Sequence, residues 1–192
     1  MRKSIGSKKI KTAVFISGKG SNLKNLIKFA KNKKYPFSVN LIFSNTKKAK
    51  GLRYSKIYKI KKKVICYDKK IKTDKKILKI LTQKKIKLIC LAGFMKILSK
   101  NFIKKFQGKI INIHPSLLPK YKGLNTHIRA IKNRDKFAGC TVHYVTSKLD
   151  SGKIILQKRV KISKGDNHFS LAKKVLKIEH LLYPAAIKKI LN

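Results

Sequence analysis

The sequence predicts an α/β protein with a single doubly wound, mainly parallel sheet of about seven strands and helices on both faces. Short apolar runs rich in isoleucine and valine alternate along the chain with stretches of helical spacing. The 192 residues are 43% hydrophobic, which is enough to build a full core. The sequence contains no repeats and no low-complexity linkers, so residues 1–192 are predicted to form one domain.

Each apolar run is interpreted as one strand, and each stretch of helical spacing between runs as one helix. The predicted strands cover 10–16, 37–44, 64–66, 88–92, 109–113, 139–145 and 153–160. The predicted helices begin near 21 and then cover about 48–58, 73–84, 100–106, 126–133 and 167–191. The fourth strand is apolar throughout, which is typical of a central position in a parallel sheet. Ser99 and Asp166 are expected to cap the helices that follow them.

The charge is strongly positive, with 51 lysines and arginines against 6 acidic residues and a formal net charge of +45. Most of these residues are lysines spread evenly along the chain, which indicates a general compositional bias more than a nucleic-acid site. Non-specific binding to polyanions is expected, without a specific nucleic-acid partner. The three cysteines form no C-x-x-C pair and favour a reducing, cytoplasmic location. Apolar runs are too short for a signal peptide or a membrane span.

The first predicted strand ends in a glycine loop, Ser17–Leu23, that leads directly into a helix. Glycines allow close backbone approach to an anion, and the free N–H groups of a helix start favour a phosphate. The dinucleotide fingerprint requires a third glycine where Leu23 stands, so Gly20, Ser21 and Asn22 are predicted to hold a single phosphate. From this segment alone, a plain tight turn is an equal alternative.

The most informative segment is Asn112–Pro119, N-I-H-P-S-L-L-P, which follows the fifth predicted strand. Asn112 and His114 are two residues apart, so on a strand their side chains share one face. Ligands of open α/β sheets bind at the carboxyl ends of the strands, which is where this pair is expected. A surface loop with a capping asparagine and a solvated histidine is the alternative for an isolated N-x-H.

Only six carboxylates occur, and Asp150 lies in a polar loop between two predicted strands, where a turn role is the simplest interpretation. The single glutamate, Glu179, lies inside the last predicted helix. The histidines lack metal-site spacing, and no serine or cysteine nucleophile motif is present, so no metal is expected. An asparagine, a histidine and an aspartate can stabilise an oxyanion and transfer protons without a covalent intermediate.

Five segments occur together in the order found in the folate-dependent formyltransferases, and the resemblance extends from residue 11 to about 186. The segments are 17–23, 91–98, 112–121, 139–145 and 149–152. Within that group, the chain most resembles the phosphoribosylglycinamide formyltransferases of de novo purine synthesis. The resemblance implies an enzyme with the formyltransferase fold. It would transfer the formyl group of 10-formyltetrahydrofolate to the amine of phosphoribosylglycinamide, by direct attack through a tetrahedral intermediate.

The same resemblance implies roles for individual residues. Asn112 would hydrogen-bond the formyl oxygen, His114 would act as the general acid, and Asp150 would orient His114 and keep it protonated. Gly20, Ser21 and Asn22 would bind the substrate phosphate, and Glu179 the ribose hydroxyls. The implied folate-binding residues are Lys70, Met95, Lys96, Ile97, Leu98, Asn112, Thr146, Leu149 and Asp150. Members of the family often carry arginine at the position of Lys96 and near Lys70; lysine keeps the charge and loses the planar fork.

Two other functions are compatible with parts of the sequence. A catalytic domain like that of methionyl-tRNA formyltransferase shares the loop, and the basic charge would suit tRNA, but that enzyme carries a further tRNA-binding domain. A non-enzymatic basic nucleic-acid-binding module would need aromatic stacking platforms or a known binding motif. The expected partners are therefore small-molecule substrates, with monomer or homodimer left open.

Overall fold

Seven strands form one sheet in the computed structural model, which describes residues 9–66 and 70–192 but not the side chains of residues 70 and 71. The strands are Ile10–Ile16 (β1), Phe37–Ser44 (β2), Lys62–Val64 (β3), Leu88–Leu91 (β4), Lys109–His114 (β5), Phe137–Tyr144 (β6) and Ile154–Lys161 (β7). Their order is β3-β2-β1-β4-β5-β6-β7. Strands β1 to β5 pair in parallel, whereas β6 and β7 are antiparallel to their neighbours. The mainly parallel, doubly wound sheet is confirmed.

Helices connect the strands. They are Ser21–Lys31 (α1), Arg53–Ile57 (α2), Lys70–Gln83 (α3), Lys100–Lys105 (α4), Thr126–Lys132 (α5) and His168–Leu191 (α6). Ser99 caps α4 as predicted, because its hydroxyl accepts from the N–H of Phe102. The long helix predicted over 48–58 is wrong: a 3-10 turn at Lys50–Leu52 precedes the short α2. Gly51 explains the difference, since its N–H donates to the Gly18 carbonyl and the segment packs against the glycine loop.

The third strand lies two residues earlier than predicted. The apolar residues at 64–66 suggested a short strand, but the residues that pair with Ile42–Ser44 are Lys62–Val64. Strand β3 is the edge of the sheet, and its two lysines are exposed. Charged side chains are common on edge strands because they discourage pairing with another chain.

The two faces of the sheet carry separate halves of the core. Along β1, Val14 and Ile16 face α1 and α6, whereas Ala13 and Phe15 face α3 and α4. Strand β4 is buried along its whole length, as expected for the central strand. The chain runs outward from β1 to β3 and then returns to add β4 on the other side. This reversal opens a crevice at the carboxyl ends of β1 and β4, where ligands of such sheets bind.

A proline lies inside α6 and is compensated by a side chain of α1. Pro184 has no N–H for the carbonyl of His180, four residues earlier in the helix. The side-chain amide of Asn25 donates to that carbonyl instead. The contact fixes α1 against α6 next to Glu179. A second tie comes from the hydroxyl of Tyr183, which lies 2.9 Å from the carbonyl of Leu91 at the end of β4.

The start of α6 corrects the predicted cap. Asn167, not Asp166, is the N-cap, and it forms a capping box with Ser170. Asp166 accepts instead from Lys174 and from the N–H of Ser163, and these contacts lower the pKa of its carboxyl to about 2. Among the described helices, including the 24-residue α6, none is both long and apolar enough to cross a bilayer.

We expect Asn25→Ala to lower the free energy of unfolding by about 1–2 kcal/mol, because it leaves the His180 carbonyl without a donor. Urea unfolding measures this change. In a Pro184→Ala background the same substitution should cost less, since the new N–H at position 184 can bond that carbonyl. Lys28→Ala, at an exposed position of α1, is the matched control. Equal costs of Asn25→Ala in both backgrounds would contradict the compensation.

Candidate active site

A cleft of about 730 Å³ lies at the carboxyl ends of β4 and β5. Small-molecule sites in proteins span roughly 300–1,000 Å³, so the cleft can hold a ligand of that class. Its walls come from the segment after β4, the ends of β5 and β6, the loop before β7, and the starts of α5 and α6. A second cavity, about 430 Å³, lies behind residues 115–121 and contains none of the predicted site residues.

Asn112, His114 and Asp150 meet at one side of the cleft, as the sequence predicted. Asn112 Nδ2 lies 3.4 Å from Asp150 Oδ1, and His114 Nδ1 lies 3.3 Å from Asp150 Oδ2. The strand period explains the first pair, because residues 112 and 114 of β5 share a face. Asp150 reaches them from the β6–β7 loop with φ 44°, a left-handed conformation that aspartate tolerates better than most residues.

Asp150 is held in place by backbone as well as side chains. The N–H of Gly123 donates to Asp150 Oδ2 at 2.9 Å. Burial alone would raise the pKa of this carboxyl, but the contacts with His143 and Gly123 and the nearby charge of His114 bring it below its ordinary value. The carboxylate is therefore ionised at neutral pH. Gly152 keeps the loop close, since a Cβ there would lie 1.7 Å from the Tyr144 carbonyl oxygen.

His114 has both ring nitrogens next to acceptors. Nε2 lies 2.8 Å from the Tyr121 carbonyl oxygen, and Nδ1 faces Asp150. Burial lowers the pKa of His114 below its ordinary value, and the Tyr121 carbonyl and Asp150 offset part of that effect. The sequence-based expectation was that Asp150 would keep this ring protonated. Asp150 acts in that direction, but desolvation of the imidazolium is the larger effect.

His143 is a site residue that sequence reasoning did not assign. It lies opposite Asn112 in the antiparallel pairing of β5 with β6, so the two side chains share a face. Its Nδ1 lies 2.8 Å from the Tyr144 carbonyl oxygen, and its Nε2 lies 3.3 Å from Asn112 Nδ2. The ring thereby orients the Asn112 amide. A histidine inside an apolar strand was the available signal, but its partner depends on a register that the sequence does not show.

The glycine loop reaches the cleft at the start of α1. Gly20 is the N-cap of α1 with φ 74°, and no side chain caps the helix. A Cβ at Gly20 would lie 2.8 Å from the Gly51 Cα, so the missing side chain allows close packing of two backbones. The N–H groups and dipole at the start of a helix that lacks a side-chain cap favour an anion. Asn22 lines the cleft, while Gly20 and Ser21 lie just before it at the helix start.

Glu179 reaches the same region from α6. Its Oε2 accepts from Asn22 Nδ2 at 2.7 Å, and the Asn22 Oδ1 is buried without a partner among the described residues. Burial raises the pKa of Glu179 from 4.5 to about 7, and the hydrogen bond from Asn22 only partly opposes this. Near neutral pH the group therefore exists both as carboxylic acid and as carboxylate. Together the pair offers an acceptor and a titratable carboxyl to a ligand's hydroxyl groups.

Eight of the nine predicted folate-binding residues line the cleft, and six of these lie at or just beneath its mouth. They are Met95, Lys96, Ile97, Leu98, Thr146 and Leu149. Met95, Ile97 and Leu149 are more than half exposed although they are apolar, and such a cluster on a surface indicates a binding site. The Met95 N–H donates to Ser17 Oγ at 2.8 Å, which anchors this segment to the glycine loop. The side chain of Lys70 lies outside the described residues.

Within residues 9–66 and 70–192, no three His, Cys, Asp or Glu side chains are grouped so that they could hold a metal ion. Cys90 and Cys140 are buried, and Cys66 is exposed. Burial raises the pKa of the Cys90 thiol far above its ordinary value.

Comparisons with known proteins agree on one family. A family model described as "Formyl transferase" matches residues 10–187. Phosphoribosylglycinamide formyltransferase of Escherichia coli (strain K12) is 38% identical over 177 residues, 91% of this chain and 84% of that protein. The crystal structure of phosphoribosylglycinamide formyltransferase from Brucella melitensis superposes with a TM-score of 0.90 at 42% identity, covering 95% of this chain and 96% of the other.

A longer relative matches as well. Trifunctional purine biosynthetic protein adenosine-3 of Gallus gallus is 40% identical over 189 residues, which are 97% of this chain. These residues are 19% of that protein, so the chain spans about a fifth of the length of this relative.

Glu179 makes the stability of the protein depend on pH. Its pKa is about 7 in the folded state and near 4.5 otherwise, so between these values the folded state keeps a proton that the unfolded chain has lost. The contribution of Glu179 to the free energy of unfolding is therefore largest below pH 4.5 and declines as the pH rises to about 7. We expect urea unfolding to show a loss of up to about 3 kcal/mol between pH 4.5 and 8 from this source.

Glu179→Gln should remove that part of the pH dependence while its amide oxygen still accepts from Asn22. The histidines are the same in both proteins, so any contribution from them cancels in the difference between wild type and variant. An identical pH dependence in both proteins would show that the carboxyl is not desolvated.

Proposed function

The chain belongs to the formyl transferase family, and we propose that it transfers the formyl group of 10-formyltetrahydrofolate to the amine of phosphoribosylglycinamide in purine biosynthesis. The observation that carries the proposal is the meeting of Asn112, His114 and Asp150 in one cleft between an apolar mouth and a helix start. The names of the E. coli and B. melitensis relatives support the substrate. The same proposal holds that residues 1–192 form one formyltransferase domain. It would act in the cytoplasm on small-molecule substrates.

The ribonucleotide is assigned to the side of the cleft formed by α1 and α6. The N–H groups at Gly20, Ser21 and Asn22 would bind its phosphate, because a helix start without a side-chain cap has free donors and a favourable dipole. Glu179 would accept ribose hydroxyls beside the free acceptor on Asn22. A glutamate that is partly protonated near pH 7 also repels the neighbouring phosphate less than a fully ionised one would.

The folate is assigned to the mouth of the cleft. Met95, Ile97 and Leu149 offer exposed apolar surface to a flat ring, and burying that surface would favour binding. Leu98 is buried beneath the mouth, and Thr146 adds a polar group to its rim. The positive charge of Lys96 suits the carboxylates of the glutamate tail. Lys70 remains part of the proposed folate set on the family resemblance.

The proposed reaction follows from the groups at the junction. The substrate amine attacks the formyl carbon, a new C–N bond forms, and the carbonyl oxygen becomes an oxyanion. Asn112 Nδ2 would donate to that oxyanion; its present contacts of 3.3 and 3.4 Å are long, so a better-placed acceptor can displace them. The carbonyl then re-forms as the bond from this carbon to the folate nitrogen breaks. The amine loses a proton, and His114 delivers a proton to the folate nitrogen.

Asp150 would serve this step by favouring the imidazolium form of His114. Burial lowers the pKa of His114, so most of the ring is neutral at pH 7 and the acid form is a minority. The ionised Asp150 at 3.3 Å limits that loss. The rate that depends on protonated His114 should therefore fall as the pH rises through its pKa.

The function is tested by incubating the protein with both substrates and following formylated glycinamide ribonucleotide by mass spectrometry. We expect formyl transfer by the wild type and none above background by His114→Ala. Methionyl-tRNA supplied as a competing acceptor should remain unformylated. Formylation of the tRNA without formylation of the ribonucleotide would replace the proposed substrate.

Asp150→Asn tests the proton-transfer role, because it keeps the shape and removes the charge. We expect kcat to fall by about two orders of magnitude or more, with substrate binding nearly unchanged. The descending limb of the pH–rate profile should move to lower pH, since the pKa of His114 loses a contribution that raises it. His114→Ala should be at least as damaging, and the double variant little worse than the worse single variant. Near wild-type turnover with an unmoved limb would leave Asp150 as a turn residue only.

A further inference from the structure

One short turn contacts both members of the His114–Asp150 pair. The Tyr121 carbonyl oxygen lies 2.8 Å from His114 Nε2, and the Gly123 N–H donates to Asp150 Oδ2 at 2.9 Å. The two groups are only two residues apart in the chain. A displacement of residues 121–123 would therefore change the surroundings of the imidazole and the carboxylate together.

This turn belongs to no helix or strand, so contacts from outside must fix it. Tyr121 has φ 55° and Gly123 has φ 78°, and a left-handed tyrosine costs about 1–2 kcal/mol unless its surroundings hold it. The Tyr121 hydroxyl donates to Asp135 Oδ2 at 2.9 Å, which holds the ring from one end. The residue that contacts both the ring and the backbone of the turn is Arg129.

Arg129 lies on α5 and makes two contacts with the turn. Its Nη1 donates to the Lys122 carbonyl oxygen at 2.8 Å, and its guanidinium carbon lies 4.9 Å from the centre of the Tyr121 ring. The Lys122 carbonyl and the Gly123 N–H belong to the same peptide group, so this hydrogen bond fixes the group whose N–H donates to Asp150. The contact of the guanidinium with the Tyr121 ring fixes the side chain at the start of the turn.

We propose that Arg129 is a positioning residue for His114 and Asp150, acting through the Tyr121–Gly123 turn without touching either substrate. Only the expected effect on kcat rests on the proposed function; the effect on the pKa of His114 does not. Arg129 is exposed and does not line the cleft, so an effect on turnover must be indirect. Positioning matters here because catalytic groups must be held within a fraction of an ångström of their working geometry.

The choice of arginine supports this role. Only five of the 51 basic residues are arginines, so lysine is by far the commoner cation at exposed positions. A planar guanidinium can hydrogen-bond a carbonyl and stack on a ring at the same time, whereas a lysine ammonium offers a flexible point charge. Arg159, 4.9 Å over the ring of Phe137, has the same stacking geometry at a place outside the cleft.

Charge and geometry at position 129 act on His114 in opposite directions, so they can be separated. Burial lowers the pKa of His114 most, the Tyr121 carbonyl and Asp150 raise it, and the positive charge of Arg129 lowers it further, as would a charge on His143. His127, on α5, is the further titratable neighbour whose charge interacts with His114. Arg129→Lys keeps the charge and loosens the turn, so only the geometric part changes.

The experiment titrates the His114 ring by NMR in substrate-free wild type, Arg129→Lys, Arg129→Gln and Arg159→Lys, with His114→Ala to assign the signal. We expect Arg129→Lys to lower the pKa of His114 and to reduce kcat about three- to tenfold, with little change in either KM. Arg129→Gln removes the charge as well, so its His114 pKa should lie above that of Arg129→Lys. Arg159→Lys should match the wild type in both measurements.

An unchanged His114 pKa and kcat in Arg129→Lys would overturn the proposal. So would an equal fall in kcat for Arg129→Lys and Arg159→Lys, which would indicate a general loss of stability. The titration needs no activity, so a wild type without formyl transfer would refute the proposed function and leave the test of Arg129 intact.

Discussion

The carboxylate of Asp150 is the point on which the site depends. It joins strand β5 through Asn112 and His114, strand β6 through His143, and the Tyr121–Gly123 turn through a backbone N–H. In a chain of 51 basic and 6 acidic side chains, lysines are abundant. In the described part of the chain, however, the carboxylate of Asp150 contacts no lysine: its partners are an amide, two imidazoles and a peptide N–H. These donors keep the carboxylate ionised, and none of them is a permanently charged lysine or arginine that would compete with His114 for it.

The fold was largely predictable because its strands are compact apolar runs. Strand β1 and strand β2 have the predicted bounds, and the buried β4 is central. The errors lie where tertiary contacts override local pattern. Lys62 and Lys63 form a strand because β2 offers an edge to pair with, and Gly51 shortens a helix because it packs against Gly18 and Gly20. Neither contact can be inferred from the residues around it.

The site was predictable to the extent that its chemistry resides in side chains. Asn112 and His114 share a face because of the strand period, and their loop resembles a known family. What sequence reasoning missed are groups placed by register or by the backbone. His143 faces Asn112 only through the antiparallel pairing of β5 with β6. Almost every residue has a backbone carbonyl and N–H, so no sequence pattern marks those of Tyr121 and Gly123 as site groups before the turn is folded.

Burial shifts the pKa values of the groups at the two ends of the cleft in opposite directions, for the same physical reason. It removes water from an imidazolium at His114 and lowers its pKa, and it removes water from a carboxylate at Glu179 and raises its pKa. Both changes favour the neutral form, as low polarity always does. At Glu179 a neutral carboxyl suits the neighbourhood proposed for a phosphate. At His114 the neutral form opposes the proposed acid role, so the catalytic end needs a compensating charge that the other end does not.

That asymmetry explains why the contacts are denser around Asp150 than around Glu179. Within residues 9–66 and 70–192, Glu179 accepts one hydrogen bond, from Asn22, and its pKa stays raised. Asp150 has the Gly123 N–H and two imidazole contacts, and its pKa is lowered although burial alone would raise it. An ionised Asp150 is what offsets desolvation at His114. In the proposed reaction, the turn that supplies this backbone donor would matter to the acid as much as the imidazole does, and residues that hold the turn would act on proton transfer without facing the substrate.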